Sequence, residues 1–236
     1  MDDAAPAPAA KGREAGRHPG DGPGPRLRIT EIFLSLQGES TRAGLPTVFV
    51  RLTGCPLRCG YCDTAYAFHG GQWRDVAALV EEVIALGVRH VCVTGGEPLA
   101  QRACLELLTA LCDRDLSVSL ETSGAMDVSA VDPRVSRIVD IKTPGSGEVE
   151  RNLWRNIEVL ESKDEIKFVL CGRDDYEWAR AVIAERDLSS RCTVLMSPSH
   201  GQLEPTQLAD WIVADRLAVR FQMQLHKSLW GNVAGR

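Results

Sequence analysis

The sequence predicts an α/β domain built on a mainly parallel sheet. Two observations carry this. Strand-like runs rich in Val, Ile and Thr recur along the chain, and segments with apolar residues at helical spacing fall between them. A third observation bears on function: the loops that carry unusual chemistry follow strand ends, where α/β chains keep their sites.

Residues 1–26 are mostly Ala, Pro, Gly and charge, as in PAPAA and HPGDGPGP, with no apolar periodicity. They are expected to form a disordered tail, leaving one catalytic domain over 27–236. Residues 27–33 (LRITEIF) and 47–53 (TVFVRLT) read as strands. Residues 75–86 read as a helix, with Val76, Leu79, Val80 and Val83 on one face. A buried strand (90–94, HVCVT), a helix (103–112) and two strands (117–122, SVSLET; 135–141, VSRIVDI) follow. Next come a strand (165–171, EIKFVLC), a helix (176–183), a strand (193–198, TVLMSP), a helix (206–213) and a last strand (218–225, AVRFQMQL). This alternation implies βαβ units. No internal repeat is visible.

A chain of 236 residues with 44% hydrophobic content supports one sizeable core. The formal net charge is −5 and no basic stripe exists, which argues against a general nucleic-acid binder. No apolar run approaches a membrane span, and the N-terminus lacks the apolar stretch of a secretion signal. Eight cysteines, three of them crowded into 55–62, then suggest a reduced, cytoplasmic protein with a metal or cluster site rather than disulfides. Cys92, Cys104, Cys112, Cys171 and Cys192 are scattered and read as buried small hydrophobes.

LTGCPLRCGYCDT follows the second strand and spaces Cys55, Cys59 and Cys62 as Cys-x3-Cys-x2-Cys. A tight loop of small residues lets three thiolates reach three irons of a cubane cluster, leaving one iron open to bind a small molecule. Gly54, Pro56 and Gly60 suit such a loop. The competing reading is a structural Cys3His zinc site completed by His69. VTGGEP follows the next strand. Its glycines allow close backbone approach, and a carboxylate with carbonyls can accept bonds from an ammonium group. In the last strand Arg220, Gln222, Gln224 and His226 alternate with apolar residues, so one polar face lines a ligand cavity or faces water.

Cys-x3-Cys-x2-Cys together with GGEP resembles the radical S-adenosylmethionine (SAM) superfamily. EIFLSLQGES, FVRLTGCPLRCGYCDT, TGGEP, ETSG and QLHK closely resemble the 7-carboxy-7-deazaguanine synthase family, from about residue 29 to 231. The resemblance implies a partial (β/α)6-type barrel, a [4Fe-4S] cluster, SAM, Mg2+ and a homodimer with an electron donor such as flavodoxin. It implies ring contraction of 6-carboxy-5,6,7,8-tetrahydropterin to 7-carboxy-7-deazaguanine with loss of ammonia, on the route to queuosine. The hydrogen atom is taken by a deoxyadenosyl radical, so no protein residue is expected to be catalytic. Carried over, Cys55, Cys59 and Cys62 hold the cluster and Thr64 the magnesium. Tyr61, Gly95, Gly96, Glu97, Glu121, Ser123, Lys142 and Ser197 contact SAM. Leu36, Gln37, Gly38, Glu39, Arg51, Thr94, Gln224 and His226 contact the pterin, with Arg51 suited to a two-pronged grip on its carboxylate. Lys227 and Trp230 are expected to be structural. Ten residues follow His226, a departure from members that end sooner and use their terminal carboxylate at the site; here that group belongs to Arg236. A glycyl-radical activating enzyme and a non-catalytic zinc module are the alternatives.

Overall fold

The structure, a computed structural model, describes residues 24–231, 233 and 235. The expected tail up to residue 23, and Arg236, lie outside the described residues.

The strands are β1 (Arg26–Leu36), β2 (Pro46–Leu52), β3 (Gln72–Asp75), β4 (His90–Gly95), β5 (Ser117–Thr122), β6 (Ser136–Asp140), β7 (Glu165–Leu170), β8 (Thr193–Pro198) and β9 (Arg220–Phe221). The helices are α1 (Val76–Ala85), α2 (Cys104–Cys112), α3 (Arg173–Glu185), α4 (Leu188–Arg191), α5 (Pro205–Asp215) and α6 (Leu225–Trp230). All strands join one sheet in the order β3-β1-β2-β4-β5-β6-β7-β8-β9. From β2 onward neighbours are parallel, while β1 runs antiparallel to both β2 and β3.

The core lies between one sheet face and the helices. Val76, Leu79, Val80 and Val83 of α1 pack with Leu107, Leu108 and Leu111 of α2 against Val48, Val50, Val91 and Val93. That is the helical face read from the sequence, meeting alternate residues of the strands. The opposite sheet face and the strand C-termini are left for a cavity.

The sheet curls. β1 and β9 stand seven strand spacings apart, about 33 Å if the sheet were flat. Yet Ser40, four residues past β1, exchanges two bonds of 2.8 Å with the amide of Gln222, one residue past β9. Leu225 N also donates to Gly38 O at 2.9 Å. Thr41 N donates to the Glu165 carboxylate at the start of β7 at 3.1 Å. The β1–β2 loop therefore spans the open side of a partial barrel.

One expected element is wrong. The chain over 218–225 is not an eight-residue strand: β9 has two residues, and α6 starts at Leu225. The ladder stops after Gln222 N donates to Met196 O, and the Gln222 side chain docks on the Ser40 backbone. The short edge strand β3 went unseen, since QWRD has no apolar run.

Candidate active site

A cavity of about 640 Å3 opens at the C-terminal ends of the parallel strands, a size usual for ligand pockets. One wall carries Cys55, Cys59 and Cys62, with Tyr61 and Thr64; Gly95, Gly96, Ser123 and Lys142 adjoin them. Another carries Leu36, Gln37, Gly38, Glu39, Arg51, Thr94, Glu121, Gln224 and His226. Two expected contacts, Glu97 and Ser197, are not on the wall; Ser199 and His200 reach it instead of Ser197.

The cluster loop leaves β2 through Gly54, whose φ of +97° favours glycine. It rests against the GGEP turn: a side chain on Gly96 would meet Gly54 O at 2.4 Å and Cys55 Cβ at 2.6 Å. Gly54 O also accepts from Glu97 N at 2.9 Å. On its far side Gly60 N donates to Ser146 O at 3.0 Å. Burial pushes the Cys55 thiol up and the Cys59 thiol to about 11. Bare thiolates are therefore disfavoured here, and iron ions are the partner that would stabilise them. A cluster fits: three thiols line one cavity and each needs to reach only its own iron. A zinc site completed by His69 does not, since His69 is exposed and off the wall. Moreover, among the described residues no three His, Cys, Asp or Glu groups surround one ion position.

Glu97 turns inward. Fully buried, its carboxylate accepts from Leu99 N at 2.9 Å, Ser123 N at 2.7 Å, and the Thr122 and Ser123 hydroxyls. It ties the GGEP turn to the end of β5. Ser197 is buried, and its Oγ has no hydrogen-bond partner among the described residues.

Glu121, expected among the SAM contacts, stands with the pterin candidates: it accepts from Thr94 Oγ1 at 3.0 Å and Gln37 Nε2 at 3.3 Å. Thr94 Oγ1, Gln37 and this carboxylate make a polar edge of mixed donors and acceptors. Arg51 donates through Nε to Glu31 at 2.7 Å, and its guanidinium lies 5.8 Å from the Phe33 ring centre and 5.9 Å from that of Tyr66. Burial works against its charge, but Tyr66 and Glu31 outweigh this and raise its pKa. The terminal nitrogens donate to no acceptor among the described residues, so the fork stays available.

The cavity charges come in pairs. Lys142 meets Asp140 at 2.9 Å, Lys227 meets Asp63 at 2.7 Å, and Lys167 meets Glu39. Burial opposes the Lys142 charge, yet Asp140 and Cys59 raise its pKa. Burial likewise opposes the Asp63 charge, but Lys227 outweighs it and Asp63 falls well below the usual carboxylate range. Burial lowers the His226 imidazole despite Glu39 and Asp63 nearby. Its Nδ1 would lie 2.1 Å from any side chain added at Gly38. Thr64 makes no side-chain cap for the following turn; its hydroxyl donates to Asp63 at 2.9 Å, leaving oxygen lone pairs for a cation. Lys167, Asp63, Asp140 and Lys227 were not anticipated as site residues. Asp63 adjoins Thr64 and Asp140 lies two residues before Lys142, a proximity that could have flagged both.

This fold and thiol loop define a class. The family model of the radical SAM superfamily matches residues 49–143. Among the curated relatives, a protein of Chlorobaculum tepidum named 7-carboxy-7-deazaguanine synthase is 46% identical over 207 residues, covering 86% of this chain and 94% of its own length. A Koribacter versatilis protein of the same name is 39% identical, covering 86% and 97%. The crystal structure of QueE from Escherichia coli superposes with a TM-score of 0.70 at 27% identity, covering 85% of this chain and 95% of that one. The chain belongs to the 7-carboxy-7-deazaguanine synthase family of radical SAM enzymes. TYW1 with a lysine–pyruvate adduct bound shares the fold alone, at a TM-score of 0.55 and 12% identity.

Proposed function

We infer that the chain converts 6-carboxy-5,6,7,8-tetrahydropterin to 7-carboxy-7-deazaguanine with loss of ammonia. The observation that carries this is one cavity with three thiols on one wall and, on another, a carboxylate–amide–hydroxyl edge and a free guanidinium fork. When bound, the cluster and SAM supply the one-electron chemistry that removes a hydrogen atom from the substrate. The protein's work is then positioning. Glu121 and Gln37 take the N–H and carbonyl groups of the pyrimidine ring, and Arg51 grips the carboxylate through two nitrogens. Gly95 and Gly96 let the SAM amino acid approach the backbone, and Lys142 stands over Tyr61 at 5.9 Å beside the thiol wall. The Thr64 hydroxyl serves Mg2+, which keeps its remaining ligands from substrate and water.

A wall closed by residues 37–41 and 222–227 suits a small molecule better than a protein segment, which disfavours a glycyl-radical activating role. Family resemblance supports a homodimer, a flavodoxin-type donor and a cytoplasmic location. No helix among the described residues is long and apolar enough to cross a membrane. The test is anaerobic incubation with reductant, SAM and carboxytetrahydropterin. The deazapurine carboxylate should appear by mass together with free ammonia. SAM cleavage without that product would assign a different substrate.

A further inference from the structure

We propose that Lys167 is a positioning residue that holds Glu39 ionised and directed into the cavity, as an acceptor for N–H groups of the ligand. The identity of that ligand rests on the pterin reading above.

Lys167 lies on β7 between Ile166 and Phe168, both fully buried in the core, so alternation points it to the cavity face. There its ammonium pairs with the Glu39 carboxylate, the two side chains being only 13% and 11% exposed. A buried ion pair is a poor source of stability, because desolvation consumes the attraction. It persists where it does something else. Glu39 follows directly on Gln37 and Gly38, and all three face the cavity. Its Oε1 also takes Gln224 Nε2 at 2.9 Å, so Lys167 and Gln224 fix its direction from opposite elements.

The surroundings show why the lysine is needed. Glu39 faces Lys167 from β7, Gln224 and His226 from the C-terminal segment, and Asp63 from the cluster loop. Lys167 in turn faces Asp140 of β6 and Glu121 of β5. Burial pushes Glu39 toward its neutral form and Asp63 adds to that push; Lys167, helped by the hydrogen bond from Gln224, outweighs both and leaves its pKa below the ordinary value. Without Lys167, Glu39 is a buried carboxylate among other carboxylates and takes up a proton. A protonated carboxyl donates where it had accepted. The other cavity cations have carboxylates of their own, Arg51 through Nε with Glu31, Lys142 with Asp140 and Lys227 with Asp63, and none of them pairs with Glu39.

The experiment uses the cluster-loaded enzyme, with 6-carboxypterin as a fluorescent probe, from about pH 5.5 to 7.5, below the range in which the pterin ring amide itself ionises. Wild type and Lys167→Arg should bind with nearly constant affinity. Lys167→Met should bind about tenfold or more weakly near pH 6 and recover as pH rises. The double variant Lys167→Met/Glu39→Gln lacks the carboxyl that gains the proton, so its weak binding should not recover as pH rises. It also removes both charges of the pair, which guards against a folding failure caused by an uncompensated carboxylate. A second readout needs no ligand. Near pH 6, Lys167→Met should show an infrared band of a protonated carboxyl that wild type lacks and the double variant loses. If Lys167→Met binds equally weakly at every pH and shows no such band, the proposal is overturned. If the band appears as described but even wild type ignores carboxypterin, the positioning of Glu39 stands and the pterin reading falls.

Discussion

Replacing Glu97 by Gln tests whether this residue braces the site or touches the cofactor. The change keeps the shape and removes the charge. Each carboxylate oxygen faces a fixed backbone donor: Oε1 takes Leu99 N at 2.9 Å and Oε2 takes Ser123 N at 2.7 Å. The Thr122 and Ser123 hydroxyls can rotate to accept, but the two backbone N–H groups cannot. Whichever way the amide flips, its NH2 confronts one of them. One charge-assisted bond is lost, about 1.5–3 kcal/mol, and a buried donor is left without an acceptor, about 1–3 kcal/mol more. The sum, about 2.5–6 kcal/mol, corresponds to a fall in Tm on the order of 10 °C for a domain of this size. The assay is thermal and urea unfolding of wild type and Glu97→Gln at matched iron content, because a bound cluster itself stabilises. A variant that unfolds within about 1 kcal/mol of wild type, yet no longer binds SAM, would refute the bracing role and make Glu97 a direct cofactor contact.

Three other outcomes are expected. Gly38→Ala drives the His226 ring from its place, since the new methyl would lie 2.1 Å from Nδ1. Substrate affinity should fall about as far as in His226→Ala, with the double variant adding little, as a double-mutant cycle would show. Arg51→Lys keeps the charge but loses the planar fork, so substrate binding measured by fluorescence should weaken about tenfold or more while the iron content stays unchanged. Thr64→Ala removes one neutral oxygen that water can replace, so turnover should persist with most of its magnesium stimulation gone, and Thr64→Ser should restore it.

The parts of this protein legible in sequence are those specified locally. Runs such as TVFVRL and HVCVT announce buried strands, because consecutive positions at their centres, Val48 to Val50 and Val91 to Val93, are all apolar and buried. The three cysteines announce themselves by spacing. What stayed hidden depends on distant partners. Lys167 looks like an ordinary polar residue alternating along a strand, and Glu39, which gives it meaning, lies 128 positions away. Lys227 read as structure because Asp63 belongs to another loop. The alternation in AVRFQMQL is genuine, and Gln224 and His226 do reach the cavity. They arrive through a loop and a short helix, past the point where the Gln222 side chain docks on the Ser40 backbone. GGEP was recognised, but a motif does not say which way its carboxylate turns; only the Ser123 amide shows that.

The clasp between Ser40 and Gln222 joins residues 182 positions apart. Contacts this remote in sequence carry the largest loop-closure cost, so they form late and slow the search. During synthesis, β1 and the cluster loop leave the ribosome long before α6 exists. Until then three oxidisable thiols sit in an unfinished cavity, open on the side that residues 222–227 will cover. Iron loading before release would have to work on that open form. Loading afterwards would have to pass through the finished mouth. Supplying iron and sulfide to arrested chains that stop before and after residue 222 would show which order this protein follows.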